Sequence, residues 1–292
     1  MRNELVTYAS PKSTVSEIFK TLRTNVQYMN ISRNRKSILV TSVEPGEGKS
    51  WVSANLAISF AQTGKKVILV DADMRKGRQH EIFEVSNING LSNYLIFTLE
   101  NSVDNVTKYL QKTLVDNLYL FSAGTVPPNP SELLTNSKMV DLIKTLEDMA
   151  DIVIFDSTPS MMVTDAMILS RFVGGTLLVT SSKKTKIDSL KEIKKNIENV
   201  GGNITGVIVN KIPMSKRSYG RGYYYETSIE AYSSKKSKLK NFFDNLFSSN
   251  KGSRPIVDKQ VKDNEIEQVK QKLENVEKEG KEKERIKEQE QE

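Results

Sequence analysis

Pro45-Gly46-Glu47-Gly48-Lys49-Ser50 lies between an apolar run, Ser37–Ser42, and a helical pattern that continues through about Thr63. Glycines in such a turn let backbone amides curl around phosphate oxygens, and the helix N-terminus adds its dipole. Lys49 would then reach the β- and γ-phosphates, and the Ser50 hydroxyl would ligate Mg²⁺. The complete phosphate-loop pattern wants glycine at position 43, where Val43 stands, so only its GxGK[ST] half is matched. Further carboxylates strengthen the case. Val67–Val70 runs directly into Asp71-Ala72-Asp73, and Ile152–Phe155 into Asp156. In a parallel sheet the strand ends share one ligand crevice, which would gather all three Asp beside the turn. Mg²⁺ takes oxygen ligands, commonly one or two carboxylates with waters and phosphates, and one Asp can accept a proton from an attacking hydroxyl. A Gly-rich turn without ligand and ordinary strand-end caps are the plainer alternatives, and three Asp at matching strand ends weigh against them. The pattern reads as an ATP or GTP site.

The elements that would position these residues follow from the apolar runs. Ser37–Ser42, Lys66–Val70, Asn117–Ser122, Asp151–Phe155, Gly175–Thr180 and Gly206–Val209 read as six strands separated by helical stretches. Continuous Val/Ile/Leu runs imply strands buried on both faces, hence a doubly wound, mostly parallel α/β sheet. One helix start is explicit: Asn129 as cap, Pro130 at the first helical position and Glu132 three residues after the cap. With Leu133, Leu134 and Ile143 as apolar positions, the spacing predicts one helix over Asn129–Asp148.

Composition removes several chemistries. The 292 residues include no Cys and a single His, His80. Thiolate nucleophiles, Cys-rich zinc sites, iron–sulfur ligation and disulfides are excluded, and a Ser-His-Asp triad or two-His metal site nearly so. No run reaches the ~18 apolar residues of a membrane span, and Met1–Ser13 lacks a signal-peptide core. The chain reads as soluble and intracellular.

Charge is unevenly placed. Lys211–Lys240 carries eight Lys/Arg against Glu226 and Glu230, a net of +6, while residues 250–292 net −1. A basic block of this kind suits an anionic partner such as a membrane surface, nucleic acid or a later phosphate, or is simply a solvated face. Within it, Lys216–Tyr225 has little core-forming pattern and is expected to be mobile. Lys235–Phe247 places Leu239, Phe242, Phe243, Leu246 and Phe247 at helical spacing among lysines. That stretch suits either an anionic membrane surface or a helix packed on the core. Val257–Glu292 holds two heptads, Ile266, Val269, Leu273 and Val276, cut by Gly280, too few for a coiled coil.

The stretches VTSVEPGEGKS (Val40–Ser50), VILVDADMR (Val67–Arg75) and VIFDSTP (Val153–Pro159) together resemble the Walker A, Walker A′ and Walker B set of bacterial tyrosine kinases. AGTVPPNPSELL (Ala123–Leu134) and VTDA (Val163–Ala166) are similar to stretches of the kinases of capsule and exopolysaccharide operons, the CpsD/CapB type. The resemblance covers about Ser16–Tyr232. It implies a P-loop ATPase fold of the MinD/ParA kind, with ATP and Mg²⁺ as cofactors and protein tyrosine as substrate. By position, Pro45 to Trp51 would form the nucleotide loop, with Lys49 and Ser50 on phosphate and metal. Asp71 would hold Mg²⁺, Asp73 would be the base or part of the metal network, and Asp156 would contact Mg²⁺ or its water. Asn210 falls where relatives place an Asn near the adenine. The family's terminal tyrosine cluster, substrate of its own reaction in trans, would be Tyr219, Tyr223, Tyr224, Tyr225 and Tyr232. Glu17, Lys20 and Arg23 stand at the spacing of a Glu-x-x-Arg-x-x-Arg segment used in ring assembly, and Lys20 lacks the planar fork of Arg. Trp51 stands where a small residue is usual.

The resemblance further implies a membrane-anchored polysaccharide co-polymerase adaptor that recruits the cytoplasmic chain to the inner face of the membrane. It brings in self-association, a tyrosine phosphatase and further phosphorylated proteins, and no nucleic acid. The organisation expected is an N-terminal segment (1–15), a kinase domain (16–213), a tyrosine-rich segment (214–232) and a basic, charged extension (233–292). Two other outputs use the same residues. One is a switch ATPase of the ParA/MinD type, whose extra Lys five positions before the loop Lys is Glu44 here; the other is an assembly scaffold with little kinase turnover.

Overall fold

A computed structural model describes residues 4–29, 35–98 and 102–213. The tyrosine cluster Tyr219–Tyr232, the Lys235–Phe247 stretch and the charged extension lie outside the described residues. In chain order the elements are α1 (Val6–Ala9), α2 (Thr14–Tyr28), β1 (Ser37–Ser42), α3 (Lys49–Ala61), β2 (Val67–Asp71), α4 (Gln79–Phe83), α5 (Leu91–Phe97) and α6 (Val103–Thr107). There follow β3 (Leu110–Lys112), β4 (Leu118–Phe121), α7 (Pro130–Thr135), α8 (Ser137–Met149), β5 (Ile152–Asp156), α9 (Asp165–Ser170), β6 (Gly175–Ser181), α10 (Ile187–Asn199) and β7 (Ile204–Asn210).

The strands form one sheet in the order β3-β4-β2-β5-β1-β6-β7. Every neighbouring pair is parallel except β3–β4. Alternation explains how continuous apolar runs serve two layers, because successive side chains point to opposite faces. Ile38, Val40, Val67, Leu69, Ile152 and Ile154 join the core under α1, α2 and α3. Leu39, Ile68, Val70, Val153 and Phe155 face the opposite core with α5, α7, α8 and α9. This is the doubly wound α/β sheet that the apolar runs imply.

Helix α3 is buried along nearly its whole length, from Ser50 to Ala61 apart from Trp51. Two N-terminal helices cover it. Thr7 donates its N–H and hydroxyl to Asn55 Oδ1 at 3.0 and 2.8 Å, and Asn55 Nδ2 donates to Glu4 O at 2.8 Å. Helix α2 starts on a Ser13 cap that accepts from Ser16 N, and buries Phe19 and Val26.

One expected element differs. The helix over Asn129–Asp148 is two helices, α7 and α8, divided at Asn136, whose backbone is extended (ψ 143°). Asn136 Oδ1 accepts from Lys138 N at 3.0 Å and caps α8. Asn offers the backbone this local alternative to continuing the first helix. Asn129 does not cap through its side chain; its Nδ2 donates to Glu132 Oε2 instead. The antiparallel edge strand β3 has no counterpart among the six expected strands.

Candidate active site

The loop after β1 turns on two glycines in the left-handed region, Gly46 (φ +77°) and Gly48 (φ +97°). Gly48 caps α3, so Lys49 and Ser50 open a helix whose unpaired N–H groups and positive dipole end face the loop. The loop is held from behind. Glu47 is buried, and its carboxylate accepts from Glu44 N (2.9 Å), Ser181 N (3.3 Å) and the Thr185 hydroxyl. Its side chain is thus a strut to the end of β6 rather than a group aimed at a ligand. Asn210, the last residue of β7, donates Nδ2 to Glu47 O at 2.9 Å, and Lys211 Nζ reaches Gly46 O at 2.5 Å. The left-handed turns free the remaining loop amides, which suits an anion. Pro45 opens the loop at the surface. The Trp51 ring meets Phe19 of α2 edge-on at 5.1 Å, so it packs on the outer helix.

The carboxylates arrive from the neighbouring strands. Asp71 and Asp156 close β2 and β5 from inside the ladder, in direct register with each other. Both are fully buried, and Asp73 is 4% exposed. Lys49 Nζ lies 3.1 Å from Asp73 Oδ2, 3.9 Å from Asp156 Oδ1 and 3.2 Å from Ser50 Oγ. Asp73 Oδ1 accepts from Lys76 N at 2.9 Å, and Ser53 Oγ donates to Asp156 Oδ1 at 3.4 Å.

Burial, and then the Asp156 charge beside it, hold the Asp71 carboxyl well above the usual range, against the Gln79 N–H and Lys49. Asp156 is also raised, chiefly by burial, with Lys49 and Gln79 opposing. For Lys49, burial works against its charge, but Asp156, Asp73 and Asp71 outweigh it and raise its pKa. The site is one lysine among three carboxylates, built to receive further positive charge.

A divalent cation fits these residues. Ser50 Oγ, Asp71 and Asp156 are hard oxygen donors of the kind Mg²⁺ takes. Among the described residues no group of three or more acidic or His side chains forms a metal cage by itself. Gln79 supplies a further sign: its Oε1 is buried and has no hydrogen-bond partner among the described residues.

Several contributors escaped the sequence reading. Gln79 donates Nε2 to Ser50 O (2.9 Å) and Asp156 Oδ2 (2.8 Å), and its backbone N–H to Asp71 Oδ2 (2.9 Å). No motif spacing marks it, because its role depends on the turn before α4 returning to the sheet. Arg75 grips Asp165 with Nε and Nη2 at 2.8 and 3.1 Å, and Ser131 bonds to both. These three residues join three stretches quoted above, and nothing in the sequence marks their contact. Glu17 and Lys20 pair with each other at 2.7 Å on exposed α2, while Arg23 Nη1 turns inward to Ser59 O at 2.7 Å.

A Gly-rich strand-to-helix turn carrying Lys and Ser, facing Asp residues at the ends of adjacent parallel strands, defines a P-loop nucleotide-binding protein. Residues 35–208 match the family described as an AAA domain. Tyrosine-protein kinase YwqD of Bacillus subtilis is 38% identical over 224 residues, covering 77% of this chain and 92% of that protein. CapB of Staphylococcus aureus is 38% identical over 224 residues, covering 76% and 93%. The crystal structure of the chimerical protein CapA2B2 superposes with a TM-score of 0.67 at 36% identity, covering 73% of this chain and 92% of that one. The chain belongs to the bacterial tyrosine-protein kinases.

Proposed function

We propose that the chain is an ATP- and Mg²⁺-dependent tyrosine autokinase that phosphorylates the cluster Tyr219, Tyr223, Tyr224, Tyr225 and Tyr232 of another copy. The observation that carries this reading is Lys49 at the start of α3, within salt-bridge distance of Asp73 and Asp156. Lys49 and the helix N-terminus neutralise charge on the transferring phosphoryl group. Asp73 is the carboxylate bound to Lys49 without lying inside the sheet, and it is the group to receive the phenolic proton. A free phenol titrates near 10, so an adjacent carboxylate assists its attack at neutral pH. The phenolate oxygen bonds to the γ-phosphorus, the bond to the β–γ bridging oxygen breaks, and ADP leaves. Mg²⁺, held by Ser50, Asp71 and Asp156, would supply charge neutralisation on the β- and γ-phosphates. Pro45 to Ser50 cradle the phosphates, with Glu47 acting from behind, and Asn210 and Lys211 stand on the side where the base would lie.

The sequence resemblance supports the wider setting: a membrane-anchored co-polymerase adaptor, a ring held partly through α2, and control of polysaccharide polymerisation and export. Among the described residues no helix is long and apolar enough to cross a membrane. Glu44 at the position of the cross-dimer Lys disfavours the switch-ATPase reading. Phosphotyrosine mass spectrometry after incubation with Mg·ATP, with Lys49→Met and Asp73→Asn as controls, tests the proposal. Lys49-dependent phosphate on Tyr219–Tyr232 is expected. ATP hydrolysis with no phosphotyrosine, even with the adaptor's cytoplasmic peptide, would overturn it in favour of a switch.

A further inference from the structure

Gln79 is wholly buried, and its hydrogen bonds run to parts of the nucleotide site. Both hydrogens of Nε2 are used, on Ser50 O and Asp156 Oδ2, and its backbone N–H holds Asp71 Oδ2. Because Ser50 O is a backbone carbonyl that can only accept, the amide orientation is determined: flipping it would set oxygen against oxygen there. Oε1 is left as a buried acceptor with no partner among the described residues. Buried polar atoms are rarely left so, and a side chain serving only to fill space would carry no acceptor there. The fold also brings this turn unusually close. A Cβ at Gly77 would lie 2.8 Å from Asp71 Oδ2 and 2.6 Å from Ala123 Cβ, so glycine admits the turn that carries Gln79. From the other side Arg78 Nη2 pairs with Glu4 Oε1 at 3.0 Å, bracing the residue just before it.

What Oε1 lacks is a donor, and a ligand arriving beside Ser50 and Asp156 can bring one. Lys49 and the Ser50 hydroxyl already have partners, whereas Mg²⁺ retains several waters, each a donor of two hydrogens. We propose that Gln79 is a positioning residue of the metal site. Its N–H groups hold Asp71 and Asp156 in fixed relation, and its Oε1 accepts from a water of the Mg²⁺ that accompanies the nucleotide. This rests on the nucleotide reading above and extends it to metal affinity.

The test uses the full chain and binding of fluorescent mant-ADP, with Mg²⁺ titrated from an EDTA baseline. Gln79→Met, close in shape but lacking the amide, is read in EDTA and in Mg²⁺ separately, so that any loss of metal-free mant-ADP binding is measured and divided out of the metal-dependent one. It should need about tenfold or more Mg²⁺ to reach the metal-dependent signal, the usual scale for losing an outer-shell partner. A purely structural role would weaken both baselines together. Gln79→Ala, which adds no atoms, carries the same readouts if the Met variant unfolds. A folded variant whose Mg²⁺ midpoint stays within about twofold of the parent, well short of that scale, overturns the proposal. A parent with no Mg²⁺-dependent mant-ADP binding would instead sink the phosphoryl-transfer reading, so the two failures are distinguishable.

Discussion

Replacing Gly48 with alanine sets two costs against each other at one atom. The backbone there has φ +97°, and an added methyl would lie 2.3 Å from Asn210 Nδ2. Holding an L-residue in the left-handed region costs about 1–2 kcal/mol. The clash falls on the end of a side chain, which can move, but only by releasing the 2.9 Å bond to Glu47 O. Losing a hydrogen bond of that kind costs about 1 kcal/mol. Gly48→Ala should therefore destabilise the nucleotide-free protein by about 2–3 kcal/mol. In an Asn210→Ala background the obstructing amide is gone, and only the conformational ~1–2 kcal/mol should remain. The four proteins form a double-mutant cycle with an expected coupling of about 1 kcal/mol, read by urea denaturation with slopes compared across variants. A coupling indistinguishable from zero would refute the claim that Asn210 is the group that demands glycine at position 48.

Other outcomes follow from the same geometry. Lys49→Met removes the cation that lowers both Asp71 and Asp156, so their carboxyls titrate higher still. Groups raised by folding contribute stability below the unfolded value near 4 and lose it as pH rises through the folded value. The variant's deficit should thus grow as pH is raised from about 4 in urea melts, and a deficit independent of pH would count against the charge argument. Asp165→Ala strips Arg75 of its bidentate partner; with Arg75 37% exposed, the cost should be about 1–2 kcal/mol in unfolding free energy. Glu47→Gln keeps one acceptor for Glu44 N, Ser181 N and Thr185, and should raise the mant-ADP dissociation constant several-fold while α/β circular dichroism stays unchanged. Each phosphate on the tyrosine cluster adds roughly −1.5 to −2 charges to a segment of net +6, so four should neutralise or reverse it and all five should leave it negative. Native electrophoresis before and after Mg·ATP would show the reversal as a stepwise mobility change that Lys49→Met lacks.

The chemistry of the site was legible because its carriers are local. Gly46 and Gly48 announce a left-handed turn, Lys49 and Ser50 follow at helix-opening positions, and Asp71 and Asp156 each end a run of β-branched and aliphatic residues. Six strands and the two-layer burial could be read from the same runs, since a strand buried on both faces has no polar alternate positions. Helix α2 was equally readable in principle. Ser13 followed by Val15, Phe19, Leu22 and Val26 is a capped apolar stripe that runs through the Glu17-Lys20-Arg23 spacing. Asn136 misled because an Asn inside a helical pattern is only a weak break until its side chain is seen to cap the next helix.

Tertiary structure alone decided which groups meet. Asp71 and Asp156 stand 85 positions apart and become neighbours only through the β2–β5 register. Gln79 joins them because a turn folds back past Gly77, and Asn210 reaches Glu47 because β7 pairs beside β6 on the far edge of the sheet. Glu47 points inward to Ser181 although its place in the loop suggested a ligand contact. Residue type and spacing determine backbone conformation and periodicity, which act over a few residues. Partner, burial and protonation depend on what the folded sheet brings within a few ångströms, and no local pattern encodes that.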